Sequence, residues 1–324
     1  MLVKSNRAQV LQWAEQGAIA RDRLGAALRA AGVLPDAAAW RRFLDRLLLW
    51  IGVLCLTAAL AFFVAYNWSD LGRFAKFGLV QAVLLAAIGL HWKLGPDRLS
   101  GKAALLGAAV LTGVLLALFG QTYQTGADTW ELFATWAALI LPWVLLGRLA
   151  ALWLLWIALL NAAVMLYFRV FPGPFGWISR VEHMLLLLFA LDTAALAAWE
   201  LAARRLPWLA QRWAAWLLAV GSAAAATAMA LHAIFASGET GVAAAVLYPA
   251  WLVAWYLVYR RLLPELFMLA VGCLSAIVVV TGALTEHLLD WNEPGAFLVI
   301  ALVVAGMAAA AAIWLRRVSV HGAA

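Results

Sequence analysis

Long apolar runs alternate with short polar stretches along almost the whole chain. A membrane-spanning helix needs about 20 consecutive, mostly apolar residues. Ten segments meet this requirement, so the pattern predicts an all-α, polytopic transmembrane helix bundle of about ten spans over residues 46–317. The ten segments are residues 47–66, 74–92, 103–119, 130–147, 149–168, 181–202, 213–235, 241–259, 264–286 and 295–315.

The weakest of these boundaries is the tight turn at Gly147-Arg148, between the fourth and fifth segments. The two segments can also be interpreted as one long, kinked element. Their combined length is much too great for a single crossing, so two spans are predicted.

The first 45 residues are polar and helix-forming, and they precede the first apolar run. Apolar residues recur there at helical spacing in two stretches, and Gly17, Gly32 and Pro35 separate the helices. The pattern predicts a small helical hairpin over residues 1–45, with 37–46 running into the first span. The hairpin is interpreted either as a docking or sensing module or as a cap on the inner face of the bundle.

The composition agrees with a lipid environment. Hydrophobic residues make up 67% of the 324 residues and charged residues 12%, whereas a soluble domain has about 25% charged residues. The lipid bilayer is therefore the first predicted partner. The net charge of +7 comes from clusters between apolar runs rather than from one patch, so nucleic-acid binding is not predicted.

Positive charge predicts the orientation, because Lys and Arg concentrate in cytoplasmic loops. If the N-terminus is cytoplasmic and ten spans follow, 19 of the 23 basic residues lie inside. The four on the outside are Arg73, Lys76, Arg169 and Arg180. Both termini are therefore predicted to be cytoplasmic, with a short cytoplasmic tail at residues 318–324.

Asp192 is the one acid deep within a predicted span. At 1.5 Å per residue it lies about 18 Å from the inner end of its helix. Asn161 and Gln81, counted from Arg148 and Lys93, lie at similar depth, so the three are predicted to form an intramembrane polar layer. An ionisable group at this depth indicates a proton or ion step, or a structural carboxyl paired with an amide between helices.

A second polar cluster is predicted on the outer face, in the loops after spans one and three. Gln121 and Tyr123 follow directly on the third span and are expected to extend its helix, while Gly120 and Gly126 permit tight turns. Polar groups at that depth must face protein or a watery cavity. The stretch is interpreted either as a cleft open to the outside or as a hydrogen-bonded plug between helix ends. The cluster consists of Asn67, Trp68, Asp70, Arg73, Lys76, Gln121, Tyr123, Gln124, Asp128 and Glu131.

No phosphate-binding loop, dinucleotide fingerprint, nucleophile elbow or zinc-protease motif occurs in the sequence. The five histidines do not have ligand spacing, and Cys55 and Cys273 lie singly inside apolar runs. No catalytic residue, metal site or cofactor is predicted, and the protein is not expected to be an enzyme.

The N-terminal hairpin, Asn67-Trp68, residues 73–76 and the stretch 119–133 resemble the bacterial membrane proteins of the domain of unknown function 2157 family. The most specific part is the segment from Gly120 to Asp128. The resemblance covers residues 1 to about 150. It implies a bacterial inner (plasma) membrane protein without an assigned activity, with possible partners among multispan or envelope proteins encoded nearby.

Two functions are consistent with these patterns. The first is a non-enzymatic envelope component, namely a sensor, a scaffold or an assembly partner in a membrane complex. The second is a small-solute or ion/proton-coupled transporter that uses the intramembrane polar layer. Against the second, the sequence has no convincing internal repeat and no Gly-Pro interruption at a span centre.

Overall fold

The computed structural model describes residues 6–171, 181–236, 241–289 and 295–321. These residues form an all-α fold, and they contain no strand. The twelve α-helices are α1 (Asn6–Glu15), α2 (Leu24–Ala30), α3 (Ala37–Tyr66), α4 (Arg73–Leu94), α5 (Leu99–Tyr123), α6 (Thr129–Leu146), α7 (Ala150–Val170), α8 (Val181–Ala203), α9 (Arg212–Phe235), α10 (Gly241–Leu257), α11 (Leu266–Leu289) and α12 (Gly295–His321).

The N-terminal hairpin is formed by α1 and α2, which contact each other. Gly17 and Gly32 follow the two helices with φ values of 74° and 69°, a conformation that glycine adopts without a steric penalty. The Asp36 carboxylate accepts a hydrogen bond of 2.6 Å from the Ala39 amide and caps α3. Since α3 then continues to Tyr66, residues 37–46 do run into the first apolar helix, as predicted.

Nine helices of the described chain are long and apolar enough to cross a membrane: α3 to α9, α11 and α12. The predicted span 241–259 corresponds to α10, which has only 17 residues and is not among the nine. A π-helical turn at Val258–Leu262 extends it by 5 residues without a break. The polytopic helix bundle is therefore confirmed: the described residues contain nine helices able to span a membrane, whereas the predicted tenth span is a shorter, irregular helix.

One half of the bundle is organised around α5, which packs against α3, α4, α6 and α7. Gly113 of α5 leaves the space for the Trp136 ring, because a Cβ atom there would lie 2.5 Å from the indole carbons. The Trp136 Nε1 donates a 2.7 Å hydrogen bond to the Ala109 carbonyl one turn earlier. Gly113 and Trp136 therefore allow α6 to pack closely against α5.

The other half is organised around α9, which packs against α7, α8, α10 and α11. Its alanine-rich face is buried, for example at Ala214, Ala219 and Ala226, and small residues allow such close helix approach. The last helix, α12, packs against α11 and leaves its apolar surface exposed for lipid.

A hydrogen bond brings two of the predicted inside positions, Lys102 and Arg148, together at one end of the bundle. The Lys102 Nζ donates a 3.4 Å hydrogen bond to the Arg148 carbonyl, which joins the α4–α5 and α6–α7 connections. Arg148 has a φ of 45° and separates α6 from α7, so this region forms two helices, each long and apolar enough to span a membrane. We call this the predicted inner end. The end with the α3–α4 and α5–α6 loops is the predicted outer end.

The predicted C-terminal tail begins inside a helix, because α12 continues to His321. Residues 1–5, 172–180, 237–240, 290–294 and 322–324 lie outside the described residues.

Candidate functional site

A cleft with several polar side chains in its lining opens at the predicted outer end between the end of α5 and the start of α6. As predicted, α5 continues through Gln121 to Tyr123. The chain then turns sharply, with positive φ values of 43° at Gln124 and 67° at Gly126, before α6 begins at Thr129. This turn separates the two helix ends and leaves a cleft of about 630 Å³.

Amide, carboxyl and hydroxyl groups line part of the cleft, while most of its lining surface is apolar and includes Leu116, Phe119 and Leu132. Glutamine side-chain amides can donate and accept hydrogen bonds, whereas carboxylates only accept. No Lys, Arg or His lines the cleft, and no described ion pair involves its two acids. The polar side chains of the lining are Gln121, Gln124, Thr125, Asp128, Thr129, Glu131 and Thr135.

Tyr123 is not among the residues that line the cleft, and it joins an aromatic contact with α4. Its ring lies 4.9 Å from that of Phe119 and 5.9 Å from that of Phe77, measured between centroids. Such ring pairs stabilise a packed arrangement beyond the area that they bury. Tyr123 therefore connects the end of α5 to the helix that follows the first outer loop.

Trp68 of the α3–α4 loop and Lys76 of α4 pack together beside this aromatic contact. The Lys76 ammonium lies 3.6 Å from the centroid of the Trp68 ring, and Lys76 is only 6% exposed. A cation over an indole face at this distance is a favourable cation–π contact. Trp68 and Phe77 also pack on the buried cluster of Val64, Val80 and Leu118.

The remaining predicted residues of the outer cluster do not reach the cleft. The Asn67 amide donates a 2.8 Å hydrogen bond to the Phe63 carbonyl and so closes α3. Asp70 is exposed beside Ser69, and the Arg73 guanidinium lies 5.0 Å from the centroid of the Phe74 ring. The predicted cluster thus divides into cleft residues, packing residues and surface residues.

In the interior of the bundle, Asp192 of α8 is paired with Asn161 of α7. The Asn161 Nδ2 donates a 2.8 Å hydrogen bond to the Asp192 carboxyl, and Asp192 is 8% exposed. Gly221 of α9 lies opposite, where an added Cβ would approach the carboxyl to 3.6 Å. These two members of the predicted polar layer therefore meet between three helices.

Gln81, the third member, is not brought to this pair. It lies on α4, which packs mainly against α5, and its side chain is exposed on the outside of the bundle. Equal depth along two helices does not place two side chains together when they point to different sides of the bundle.

Other polar contacts in the second half were not identified from the sequence. The Thr193 and Ser222 hydroxyls lie 2.9 Å apart, and the Trp251 Nε1 donates to the same Ser222 oxygen at 3.3 Å. Further along α9, the Thr227 hydroxyl lies 2.7 Å from the Ser275 hydroxyl of α11, which lies 3.0 Å from the Tyr248 hydroxyl of α10. Each hydroxyl has a partner from a neighbouring helix, as buried polar groups require.

A charged cluster at the predicted inner end was also missed. Arg212 at the start of α9 binds two carboxylates: Glu200 of α8 at 2.9 Å and Glu265, the residue before α11. The Tyr259 hydroxyl donates to the other Glu200 oxygen at 3.3 Å, and the Trp216 Nε1 donates to Glu265. Because Glu200 is only 8% exposed, the cluster ties α8, α9, the π-helical turn and α11 together through a largely buried carboxylate.

These features define a membrane protein with several helices able to span a bilayer. Residues 11–153 match the model of the family described as "Predicted membrane protein (DUF2157)", which confirms the resemblance over that part of the chain. The matched part includes the outer cleft and ends within α7, so Asp192 and the charged cluster lie beyond it. No curated protein and no solved structure matches the chain.

Proposed function

We propose that the protein is a non-enzymatic component of the bacterial envelope that binds a partner protein through the outer cleft. In this proposal it is a multi-pass protein of the inner membrane with both termini in the cytoplasm. It acts as a sensor, a scaffold or an assembly partner, and the N-terminal hairpin lies on the cytoplasmic side. Proteins encoded nearby, as the family resemblance implies, are the first candidates for the partner.

The observation that carries the proposal is the cleft of about 630 Å³ between α5 and α6. Its amides offer donors and acceptors for the main chain of a bound segment. Its two carboxylates, Asp128 and Glu131, line the cleft without a cation among the lining residues. Complementary charge therefore favours a partner segment that is polar and basic.

Photo-crosslinking in native membranes tests this proposal. A benzophenone amino acid replaces Gln124 in the cleft or, as a control, Tyr66, which is 89% exposed at the same predicted end. We expect position 124 to give a discrete product with a second protein and position 66 to give none. The combined change Asp128→Asn and Glu131→Gln should reduce that product about fivefold, because each half-exposed ion pair contributes up to about 1 kcal/mol.

Several outcomes count against the proposal. No product at position 124, an equal product at position 66, or a product unaffected by the two neutral substitutions would each contradict it. A product that contains only copies of this chain would show self-assembly instead of a separate partner. A chain that purifies alone from native membranes in a mild detergent would also contradict stable assembly.

A second candidate function is transport coupled to a proton or ion, and it is favoured by the buried Asn161–Asp192 pair. Asp192→Asn removes the titratable group but keeps an acceptor for Asn161. Hydrogen bonds between membrane helices contribute about 0.6 kcal/mol on average, so we expect the free energy of unfolding to change by less than about 1 kcal/mol. The variant can therefore be compared with the wild-type chain for proton or ion flux in proteoliposomes.

Under the partner-binding proposal, the wild-type chain gives no flux above protein-free vesicles, and Asp192→Asn leaves the crosslink at position 124 unchanged. A wild-type flux that disappears in a stably folded Asp192→Asn variant would favour the transporter. A loss of more than about 2 kcal/mol of unfolding free energy would show that the carboxyl is structurally indispensable, which contradicts the expectation from a single interhelical hydrogen bond.

A further inference from the structure

A groove runs along the surface of the bundle between α8 and α10 with its π-helical turn. We call it the α8–α10 groove, and its volume is about 370 Å³. One face of α8 forms one wall, and Trp251, Trp255 and Tyr259 stand on the other. The first wall consists of Thr193, Leu196, Ala197, Glu200 and Leu201 of α8 and of Arg204 just after it.

The wall of the groove is apolar except near its two ends. Glu200 lines it, but the carboxylate of this residue is already bound by Arg212 and by the Tyr259 hydroxyl. It therefore offers no unpaired negative charge to a ligand. Aliphatic and aromatic side chains make up most of the remaining lining, which suits a hydrocarbon chain.

The length of the groove agrees with one leaflet of a bilayer. Thr193 and Arg204 mark its ends, and at 1.5 Å per residue they are about 16 Å apart along α8. The hydrocarbon core of a bilayer is about 30 Å thick, so half of it is about 15 Å. An acyl chain that starts beside Arg204 would therefore end near Thr193.

The mouth of the groove is positively charged. Arg204 lines the groove and follows the end of α8 together with Arg205, and Arg260 and Arg261, which are not in the lining, lie in the π-helical turn on the other side. In the part of the chain that the structure describes, the ion pairs belong to Arg212 and not to these four residues. Basic pockets between membrane helices at this depth attract anionic lipid headgroups.

We propose that the α8–α10 groove binds one anionic phospholipid of the leaflet at the predicted inner end. The acyl chain lies between α8 and α10, and the phosphate lies at Arg204 beside the neighbouring arginines. The π-helical turn at the end of α10 contributes to this site, because its residues Tyr259 and Leu262 form part of the groove wall. Local π-helical turns are frequent at functional sites.

A second groove on the opposite side of α8 provides an internal control. This α7–α8 groove has a volume of about 460 Å³ and no charged residue in its lining. Ala197 lines the α8–α10 groove and Ala198 lines the α7–α8 groove, and both alanines are exposed neighbours on one helix. Tryptophan at either position adds the same bulk to α8 but fills a different groove.

The test uses the purified full-length chain in a mild detergent, titrated with phosphatidylglycerol or with phosphatidylcholine of the same acyl chains. Native mass spectrometry counts the lipids that each variant retains. We expect one phosphatidylglycerol per chain, retained at least about fivefold better than phosphatidylcholine, which corresponds to the attraction of a single nearby arginine. Ala197→Trp should lose this retention several-fold, whereas Ala198→Trp should keep it.

Two arginine substitutions test the contribution of the lipid headgroup separately from that of the groove. Arg204→Gln should lower the preference for phosphatidylglycerol about fivefold. Arg98→Gln is the control, since Arg98 is an exposed arginine at the predicted inner end on the α4–α5 connection. An excess of inorganic phosphate should leave the lipid bound, because most of the contact is with the acyl chain.

Four results would overturn the proposal. They are equal retention of the two lipids, unchanged binding in Ala197→Trp, an equal loss in Arg98→Gln and Arg204→Gln, and displacement of the lipid by inorganic phosphate. An equal loss in Arg98→Gln and Arg204→Gln would indicate diffuse attraction to a basic surface. Displacement of the lipid by inorganic phosphate would indicate a site for phosphate alone. Arg204→Gln keeps the proposal testable if Ala197→Trp does not fold.

Discussion

Replacing Arg212 with alanine is expected to lower the free energy of unfolding by about 3 kcal/mol. Removing one partner of a buried ion pair leaves an uncompensated charge, which typically costs about 3–5 kcal/mol. The side chain of Glu200 is 9% exposed and that of Arg212 is 36% exposed. The partial exposure of the arginine places the expected loss at the lower end of that range.

Arg205→Ala is the matched control, because Arg205 is exposed and has no described ion pair. It should change the free energy of unfolding by no more than about 0.5 kcal/mol. Unfolding is measured in bicelles of zwitterionic lipid, so that headgroup binding does not contribute. Adding Glu200→Gln to Arg212→Ala should recover part of the loss, since the amide needs no counter-charge. Equal losses for Arg212→Ala and Arg205→Ala would contradict the stabilising role of this cluster.

Gly101→Ala is expected to destabilise the first half of the bundle by about 2–3 kcal/mol. A Cβ at Gly101 would be placed directly against the carbonyl oxygen of Gly95, which is backbone and cannot move aside as a side chain can. Gly95 itself has a φ of 95°, and the His91 Nδ1 donates a 2.9 Å hydrogen bond to the Gly101 carbonyl. Overpacking of such a site typically costs 1–3 kcal/mol, and the turn between α4 and α5 must shift as well.

Gly78→Ala provides the control for Gly101→Ala. Gly78 lies inside α4 and has no atom within 4 Å of the added Cβ. Alanine is favoured over glycine in a helix interior by up to about 1 kcal/mol, so this variant should be as stable as the wild-type chain or more stable. Thermal unfolding in detergent followed by circular dichroism compares the two. If the Gly101→Ala and Gly78→Ala variants unfold at the same temperature, the close contact between Gly101 and Gly95 at the α4–α5 turn is contradicted.

The meeting of Asp192 and Asn161 could be predicted from the sequence because the helical rise is constant. Counting residues from the charged ends gave both the same depth, and α7 and α8 are consecutive helices that pack together. Gln81 had the same depth but lies on the exposed side of α4. A residue count gives depth along a helix and contains no information on which helices become neighbours.

The charged cluster around Arg212 could not be predicted in the same way. In the sequence, Arg212 contributed to the positive charge that sets orientation, and Glu200 stood near the end of an apolar run. The residues that meet there are 12 and 53 positions from Arg212, on separate helices. A carboxylate within two turns of a helix end, opposite a basic loop, is the signal that could have indicated an ion pair.

The outer cleft illustrates a similar limit. The sequence predicted that Gln121 and Tyr123 extend the helix, and α5 does end at Tyr123. It left open whether the polar stretch forms a cleft or a plug. That choice depends on how far the turn through Gln124 and Gly126 separates α5 from α6, which is a property of the packed helices.

The most direct test of the account is the side of the membrane on which each loop lies. Single cysteines replace Thr125, Arg205 or Pro264 in a chain that carries Cys55→Ala and Cys273→Ala. They are labelled with a membrane-impermeant maleimide on bacterial spheroplasts. We expect Thr125→Cys to react in intact spheroplasts, and Arg205→Cys and Pro264→Cys to react only after lysis. Labelling of all three positions only after lysis, or of Pro264→Cys before lysis, would contradict the ten-crossing arrangement and the outward-facing cleft.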